Sequence, residues 1–266
     1  MKVNNKMSIF EKKLSGQARP IEFNGEYDIE AFNRFNNKFN EWIYSSNQKV
    51  NGLPKNRYIV SGLTDAFNQT YSMYNKIGIF DGEYNYHKLV FPDRVTTKLE
   101  DADVIIISHP FSADGECSHH RIAEADKLNI PIFIDCAFYG ICVNIDFDFS
   151  KYKNIHSVGF SLSKTFGTGW YRVGLLYTID FYPVSYYTNW NYPLLASAEQ
   201  HYNLINKYNP DDMYNKYKDQ QKILCSKYKL LPSSTVIFGL DYTDKYKEFK
   251  RGPVNRICLS EHYEVY

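Results

Sequence analysis

The sequence predicts an α/β fold in which a three-layer αβα domain with a mainly parallel sheet is followed by a small α+β lobe. Three observations point to it. Runs such as Val104–Ile107 and Ile130–Ile134 are almost wholly apolar, the pattern of strands buried on both faces. Stretches with helical periodicity separate these runs, and such alternation builds parallel sheets through helical crossovers. After Pro183 the alternation stops, giving way to an aromatic loop, a long polar helical region and two short strands.

Taken in order, the first twenty or so residues are polar, include Gly16 and Pro20, and read as an arm, frayed or packed on a partner. From Asp28, which stands near an N-cap, Phe32, Phe35, Phe39, Trp42 and Ile43 recur at three- and four-residue steps and predict an amphipathic helix. A linker from Ser45 to Asn56 contains Gly52 and Pro54. Strand Tyr58–Val60, a helix from Thr64 and strand Ile77–Phe80 follow. The Val104 strand, a helix over Ser118–Leu128, and strands Ile130–Ile134, Ile155–Phe160 and Val173–Tyr177 complete the sheet. Beyond it come aromatic residues around Tyr186, Tyr187, Trp190 and Tyr192, a helical region from about Leu195 to Tyr228, and strands Thr235–Leu240 and Arg256–Leu259. The expected units are therefore 1–49, the arm and first helix, packing on the small lobe or a partner subunit; 50–182, the large domain; and 183–266, the small lobe.

Composition narrows the class. Hydrophobic residues make up 44% of the 266 and the net charge is +1, so a dedicated polyanion binder, and with it a nucleic-acid role, is not expected. The 24 tyrosines are scattered and form no stacking array. The five cysteines are odd in number and show no CxxC pair or His partner at zinc spacing, so a reducing compartment and no metal are expected. The start lacks an apolar targeting core and no run is long enough to span a bilayer, so the expectation is a cytoplasmic protein without a membrane role.

In open parallel sheets, ligands collect at the carboxyl ends of strands, and the polar residues of this chain gather there. Lys164, in SLSKTFGTGWYRVG, leaves a strand terminus where an amine can be desolvated and become nucleophilic; otherwise it is an exposed loop lysine. Ser161, Ser163 and Arg172 offer hydroxyls and a permanent cation suited to a phosphate. The SGLT turn at Ser61–Thr64 joins strand to helix, so its N–H groups and helix dipole suit a phosphate as well, unless Thr64 is merely an N-cap. Asp135 ends an apolar strand, where a carboxylate is costly unless paired; it either caps the next segment or partners a protonated ring nitrogen. SGLT is no P-loop and there is no GxGxxG fingerprint.

These residues, in order, resemble the fold-type I pyridoxal-phosphate enzymes of the class I/II aminotransferase superfamily. The resemblance runs through SGLTDAF at Ser61–Phe67, ISHPFSADGECS at Ile107–Ser118, HHRIAEADKLNIPIFIDCAFYG at His119–Gly140, SLSKTFGTGWYRVGLLY at Ser161–Tyr177 and NRICLS at Asn255–Ser260. Its most specific part is the SxSK with an arginine eight residues on. The resemblance implies pyridoxal 5′-phosphate as cofactor, held by Lys164 as an internal aldimine, with the same lysine later carrying the Cα proton. It further implies that Asp135 binds the pyridine nitrogen, that Ser61, Gly62, Leu63, Ser161, Ser163 and Arg172 surround the phosphate, and that Tyr84 stacks on the ring. Arg256 matches the arginine that grips the substrate α-carboxylate.

Two departures concern the ring hydroxyl. His109 stands before Pro110 where the family usually has Asn, and Phe138 stands where it usually has Tyr. His109 or the adjacent Tyr139 is then expected to substitute, or the cofactor is tuned differently. The resemblance implies aminotransfer between an amino acid and a keto acid, since an Arg256 that clamps the carboxylate does not let it leave. Lyase or β/γ-replacement chemistry is the alternative, and a non-catalytic homologue the remaining one. A homodimer is also implied.

Overall fold

A computed structural model describes residues 29–180 and 194–263. The expected arm, the Asp28 cap and the aromatic loop from Ser185 to Pro193 lie outside them. Helix α1, Ile29–Tyr44, is the predicted amphipathic helix, and it buries Phe32, Phe35, Phe39, Trp42 and Ile43. Strand β1, Val50–Asn51, follows in the linker, and then β2, Asn56–Val60, leads through a glycine turn into α2, Leu63–Met73. Next come β3, Ile77–Ile79; α3, Tyr86–Val90; the short edge strand β4, Val95–Thr96; β5, Val104–Ser108; α4, His119–Asp126; and β6, Ile132–Cys136. Strands β7, Phe147–Asp148, β8, Ile155–Ser161, and β9, Gly174–Thr178, complete this part.

The large sheet has seven strands in the order β2-β9-β8-β6-β5-β3-β4, and only β9 runs against its neighbours. Side chains alternate across it with period two, as the pleat requires. Ile105 and Ile107 of β5 join one apolar cluster with α1 and Ile122 of α4, while Val104 and Ile106 join the cluster on the opposite face with Phe67 and Tyr71 of α2. Both faces are thus covered, and the sheet is mixed but mainly parallel, as its apolar strands predict.

Boundaries shift where backbone chemistry outweighs the hydrophobic pattern. Strand β6 begins at Ile132 rather than Ile130, because Pro131 has no N–H to give the ladder; its carbonyl still accepts from Ile105. At its other end the strand runs on to Cys136, paired with Phe160 of β8, which puts Asp135 inside it. The expected helical region over Leu195–Tyr228 is two helices, α5, Leu195–Lys207, and α6, Asp212–Tyr228, with Pro210 in the break. Helix α1 packs on the sheet and on α5, and its Trp42 indole donates to the carbonyl of Tyr208 at 2.8 Å.

The C-terminal strands form a separate four-stranded antiparallel sheet in the order β10-β11-β13-β12, made of Leu231–Pro232, Phe238–Asp241, Val254–Cys258 and Lys250–Arg251 respectively. Helix α6 is tied to it by the buried Gln221, whose amide donates to the carbonyls of Ser233, Thr235 and Phe238. The two-residue strands β4, β10 and β12 were not legible in the sequence, nor were two more. Those two are β1 and β7, which pair with each other in parallel, two residues apiece. No helix among the described residues is long and apolar enough to cross a membrane.

Candidate active site

One register assembles the site. Gly174, the first residue of β9, lies opposite Val60 on one side and Ser161 on the other. The turn after Val60, the loop after Ser161 and the residues before Gly174 therefore meet at one end of the sheet. That end carries Ser61, Gly62 and Leu63; Ser161, Ser163 and Lys164; and Arg172. Because β9 is antiparallel, its start lies at the carboxyl ends of the parallel strands, where ligands bind in such sheets.

The glycine turn has a conformation suited to close backbone approach. Gly62 has φ of 72°, in the left-handed region, and a Cβ there would lie 2.7 Å from Nη2 of Arg172. The Arg172 guanidinium lies over this turn, with Nη2 donating to Thr64 Oγ1 at 2.9 Å and Nε to the Ser61 carbonyl at 3.4 Å. Thr64 is therefore not the N-cap; Gly62 holds that position, with no side-chain cap. Asp65, in the first turn of α2, accepts the Ser61 N–H at 2.9 Å. On the other side, Ser161 Oγ accepts the Ser163 N–H at 3.3 Å, while the Ser163 hydroxyl is buried with no hydrogen-bond partner among the described residues.

Asp135 is the buried acid of the site. Its strand neighbours are Ser108 on β5 and Gly159 on β8, and the hydrogen bond its carboxylate makes among the described residues is from the Ala137 N–H, at 2.8 Å. Burial pushes its carboxyl up to about 7, and nearby Glu83 adds to the rise, against smaller lowering effects of the Ala137 N–H and the Lys164 ammonium. Lys164 itself is exposed. Tyr84 is 42% exposed; burial raises its phenol, the Asp135 carboxylate adds to the rise and the Arg172 guanidinium opposes it.

Glu83 is the residue that the sequence reading missed. It is buried, and it accepts the Ser108 N–H at 2.8 Å, the Ser108 hydroxyl and the Tyr84 N–H at 2.8 Å. Burial raises its carboxyl, opposed by those hydrogen bonds. Its signal was one acidic residue beside Gly82 in DGEYNY, too local to reveal that β5 would bring Ser108 to it.

His109 reaches this end with its backbone, the N–H donating to the Asp135 carbonyl at 2.8 Å, but its side chain is turned away. Its ring is fully buried against Phe147, Phe149 and His119, with Nε2 on the Asp146 carbonyl at 2.8 Å and Nδ1 accepting the Ser118 N–H at 3.2 Å. Tyr139 is also committed elsewhere, its hydroxyl donating to the Ile43 carbonyl. Both ring nitrogens of His109 and the Tyr139 phenol are thus taken up by backbone groups.

Phe138 leads instead toward the small sheet. Its ring meets Phe238 edge-on, with centroids 5.2 Å apart at 90°, and the Arg256 guanidinium lies 4.4 Å from the centroid of the same Phe238 ring. Arg256 pairs through β13 with Leu240 and donates from Nη1 to the Ser112 carbonyl. Burial brings its guanidinium down to about 10, with Arg251 as a further cause.

No family model matches the chain, and no curated protein matches it by sequence. Solved structures do match it. An aminotransferase from Staphylococcus aureus superposes with TM-score 0.64 at 14% identity, covering 85% of this chain and 78% of that one. A PLP-bound candidate aminotransferase from Clostridium difficile 630 gives 0.57 at 12%, covering 86% and 79%. L-threonine-O-3-phosphate decarboxylase from Porphyromonas gingivalis gives 0.56 at 13%, covering 76% and 79%. At these identities the likeness is one of fold, and that fold is the fold-type I architecture of the aminotransferases.

Proposed function

We propose that this chain is a pyridoxal-phosphate-dependent enzyme acting on an amino acid, and that its reaction is aminotransfer to a keto acid. The observation that carries the reading is the convergence on Gly174. A lysine, a glycine turn with Arg172 over it and a buried carboxylate lie at one sheet end, in a fold shared with aminotransferases.

The residues present fit the cofactor. The Ser163 hydroxyl is buried and unpartnered among the described residues, Gly62 has no side chain between its backbone and Arg172, and Asp135 keeps acceptor capacity beyond the one N–H it binds. Ser61, Gly62, Leu63, Ser161, Ser163 and Arg172 would hold the phosphate, Asp135 the ring nitrogen and Lys164 the aldehyde carbon, with Tyr84 against the ring. When bound, the cofactor serves as an electron sink for charge developing at the substrate Cα.

The chain's own groups then divide the work. Arg256 presents a forked donor to the substrate carboxylate and holds it in place, which favours loss of the Cα proton over loss of carboxylate. Lys164 Nζ moves that proton. Asp135 is ionised when it faces a cationic N–H, since an adjacent positive charge lowers a carboxyl that burial has raised. Phe138 offers no hydroxyl to the ring, and this one position favours a second reading, lyase or replacement chemistry on an amino acid.

The test is spectroscopic. Protein mixed with pyridoxal phosphate is expected to show a visible band whose lysine linkage borohydride traps, and Lys164→Ala to lack it. A wild type without the band ends the cofactor reading. Single amino acids added to the yellow protein separate the reactions: keto-acid release with loss of the band marks aminotransfer, and release of ammonia or a side-chain group marks a lyase.

A further inference from the structure

We propose that His109, Cys117, His119 and Asp146 form a binding site for one divalent transition-metal ion of the zinc class, separate from the Lys164 cluster. One ligand atom from each of His109, Cys117 and His119 lies within 4.8 Å of the other two. Asp146 Oδ2 adds a fourth donor, 3.5 Å from His119 Nε2. Tetrahedral zinc with bonds of about 2.0–2.3 Å sets its ligand atoms roughly 3.3–3.8 Å apart. The His119–Asp146 pair already has this spacing. Contacts among His109, Cys117 and His119 need to close by up to about 1.5 Å, within the reach of a side-chain rotation at Cys117, and Asp146, outside that 4.8 Å group, has to swing further in from its place beside His119.

The hydrogen bonds around the two imidazoles leave each with a lone pair to give. Tyr152 Oη lies 3.1 Å from the His119 carbonyl, which can only accept, and 2.8 Å from His119 Nδ1; with its proton on the carbonyl, it accepts from Nδ1. That arrangement puts the ring proton of His119 on Nδ1, and Nε2, which makes no hydrogen bond among the described residues, turns its lone pair toward Asp146. His109 donates from Nε2 to the Asp146 carbonyl at 2.8 Å, leaving the Nδ1 lone pair. That lone pair now accepts the Ser118 N–H at 3.2 Å, a long contact that an ion would displace. A ligating histidine whose second nitrogen donates to a carbonyl or hydroxyl oxygen is the usual outer arrangement of metal sites. Here both histidines have it before any ion binds.

Access and chemistry agree with this assignment. The Asp146 side chain is 52% exposed and Cys117 is partly exposed, so an ion can enter from solvent. One thiolate, two imidazoles and one carboxylate form a donor set suited to zinc rather than to magnesium or calcium. Cys117 and His119 are one residue apart, outside the usual zinc spacings, and Asp146 arrives from the segment leading into β7. The bound ion would tie the loop after β5 to that segment.

Untagged full-length protein is stripped with a chelator, dialysed and titrated with Zn²⁺, and with Co²⁺ as the optical probe. One ion per chain is expected, with a rise in melting temperature and a sulfur-to-cobalt charge-transfer band. Cys117→Ser is expected to lose that band. Tyr152→Phe, which leaves every ligand in place but removes the acceptor of the Nδ1 proton, is expected to weaken binding roughly 10–100-fold. Wild-type protein that binds neither ion overturns the proposal, as does binding of unchanged strength in both Cys117→Ser and His119→Gln. Neither titration needs pyridoxal phosphate, so the result stands apart from the enzymatic reading.

Discussion

Arg172 donates from Nη2 to Thr64 Oγ1 at 2.9 Å, joining the segment before β9 to the first turn of α2 across 108 residues of chain. The guanidinium lies over Gly62, at the end of the sheet where Ser61 and Ser161 meet. Hydrogen bonds to a charged partner contribute about 1.5–3 kcal/mol. Arg172→Gln is therefore expected to weaken pyridoxal phosphate roughly 10–150-fold, while unphosphorylated pyridoxal binds almost as before. Absorbance titrations with the two aldehydes check this, and an equal loss for both removes the phosphate role.

Asp135 makes the stability of the cofactor-free protein depend on pH. Its carboxyl is raised to about 7 in the folded chain, chiefly by burial, and its ordinary unfolded value is about 4. The native state thus holds the proton where the unfolded state has released it. This contribution is fully present below about pH 4 and is lost as pH rises through about 7, by up to about 4 kcal/mol. Urea midpoints across that range are expected to fall for wild type and to fall less for Asp135→Asn. Parallel profiles for the two proteins contradict the assignment.

Arg256 is held on the Phe238 ring and on the Ser112 carbonyl. Arg256→Ala is expected to raise KM for the amino acid roughly 10–100-fold, the loss of a bidentate charged contact, with the visible band of the cofactor-loaded protein unchanged. Phe238→Leu keeps the cation but removes the ring beneath it, a contact of about 0.5–2 kcal/mol, and is expected to have a smaller effect in the same direction. Steady-state kinetics beside the absorption spectrum separate these outcomes from a general loss of fold.

Glu83 satisfies three donors, the Ser108 N–H, the Ser108 hydroxyl and the Tyr84 N–H. Glu83→Ala leaves them buried and unpaired, and each unpaired buried group costs about 1–3 kcal/mol. A fall of at least about 2 kcal/mol in unfolding free energy, read from urea denaturation, is the expected result. A shift below about 0.5 kcal/mol, the ordinary size for surface positions, shows that water takes over these donors.

Much of this molecule can be read from local pattern. Apolar runs without alternation placed β5 and β6 in a sheet covered on both faces, and the three- and four-residue steps from Phe32 to Ile43 placed α1, since burial on a regular element leaves a periodic trace in the chain. Lys164, Asp135 and the SGLT turn were found because each stands where an apolar strand ends, and strand ends share one edge in a parallel sheet. What tertiary structure alone decided are the contacts between segments distant in the chain. It turned His109 into a pocket of Phe147, Phe149 and His119, gave Glu83 the donors of Ser108, laid Arg256 on Phe238 and brought Asp146 to His119. Hydrogen-bond partners and the costs of burial depend on which surfaces meet, and that is set by strand order and register across the sheet rather than by the residues on either side of a position.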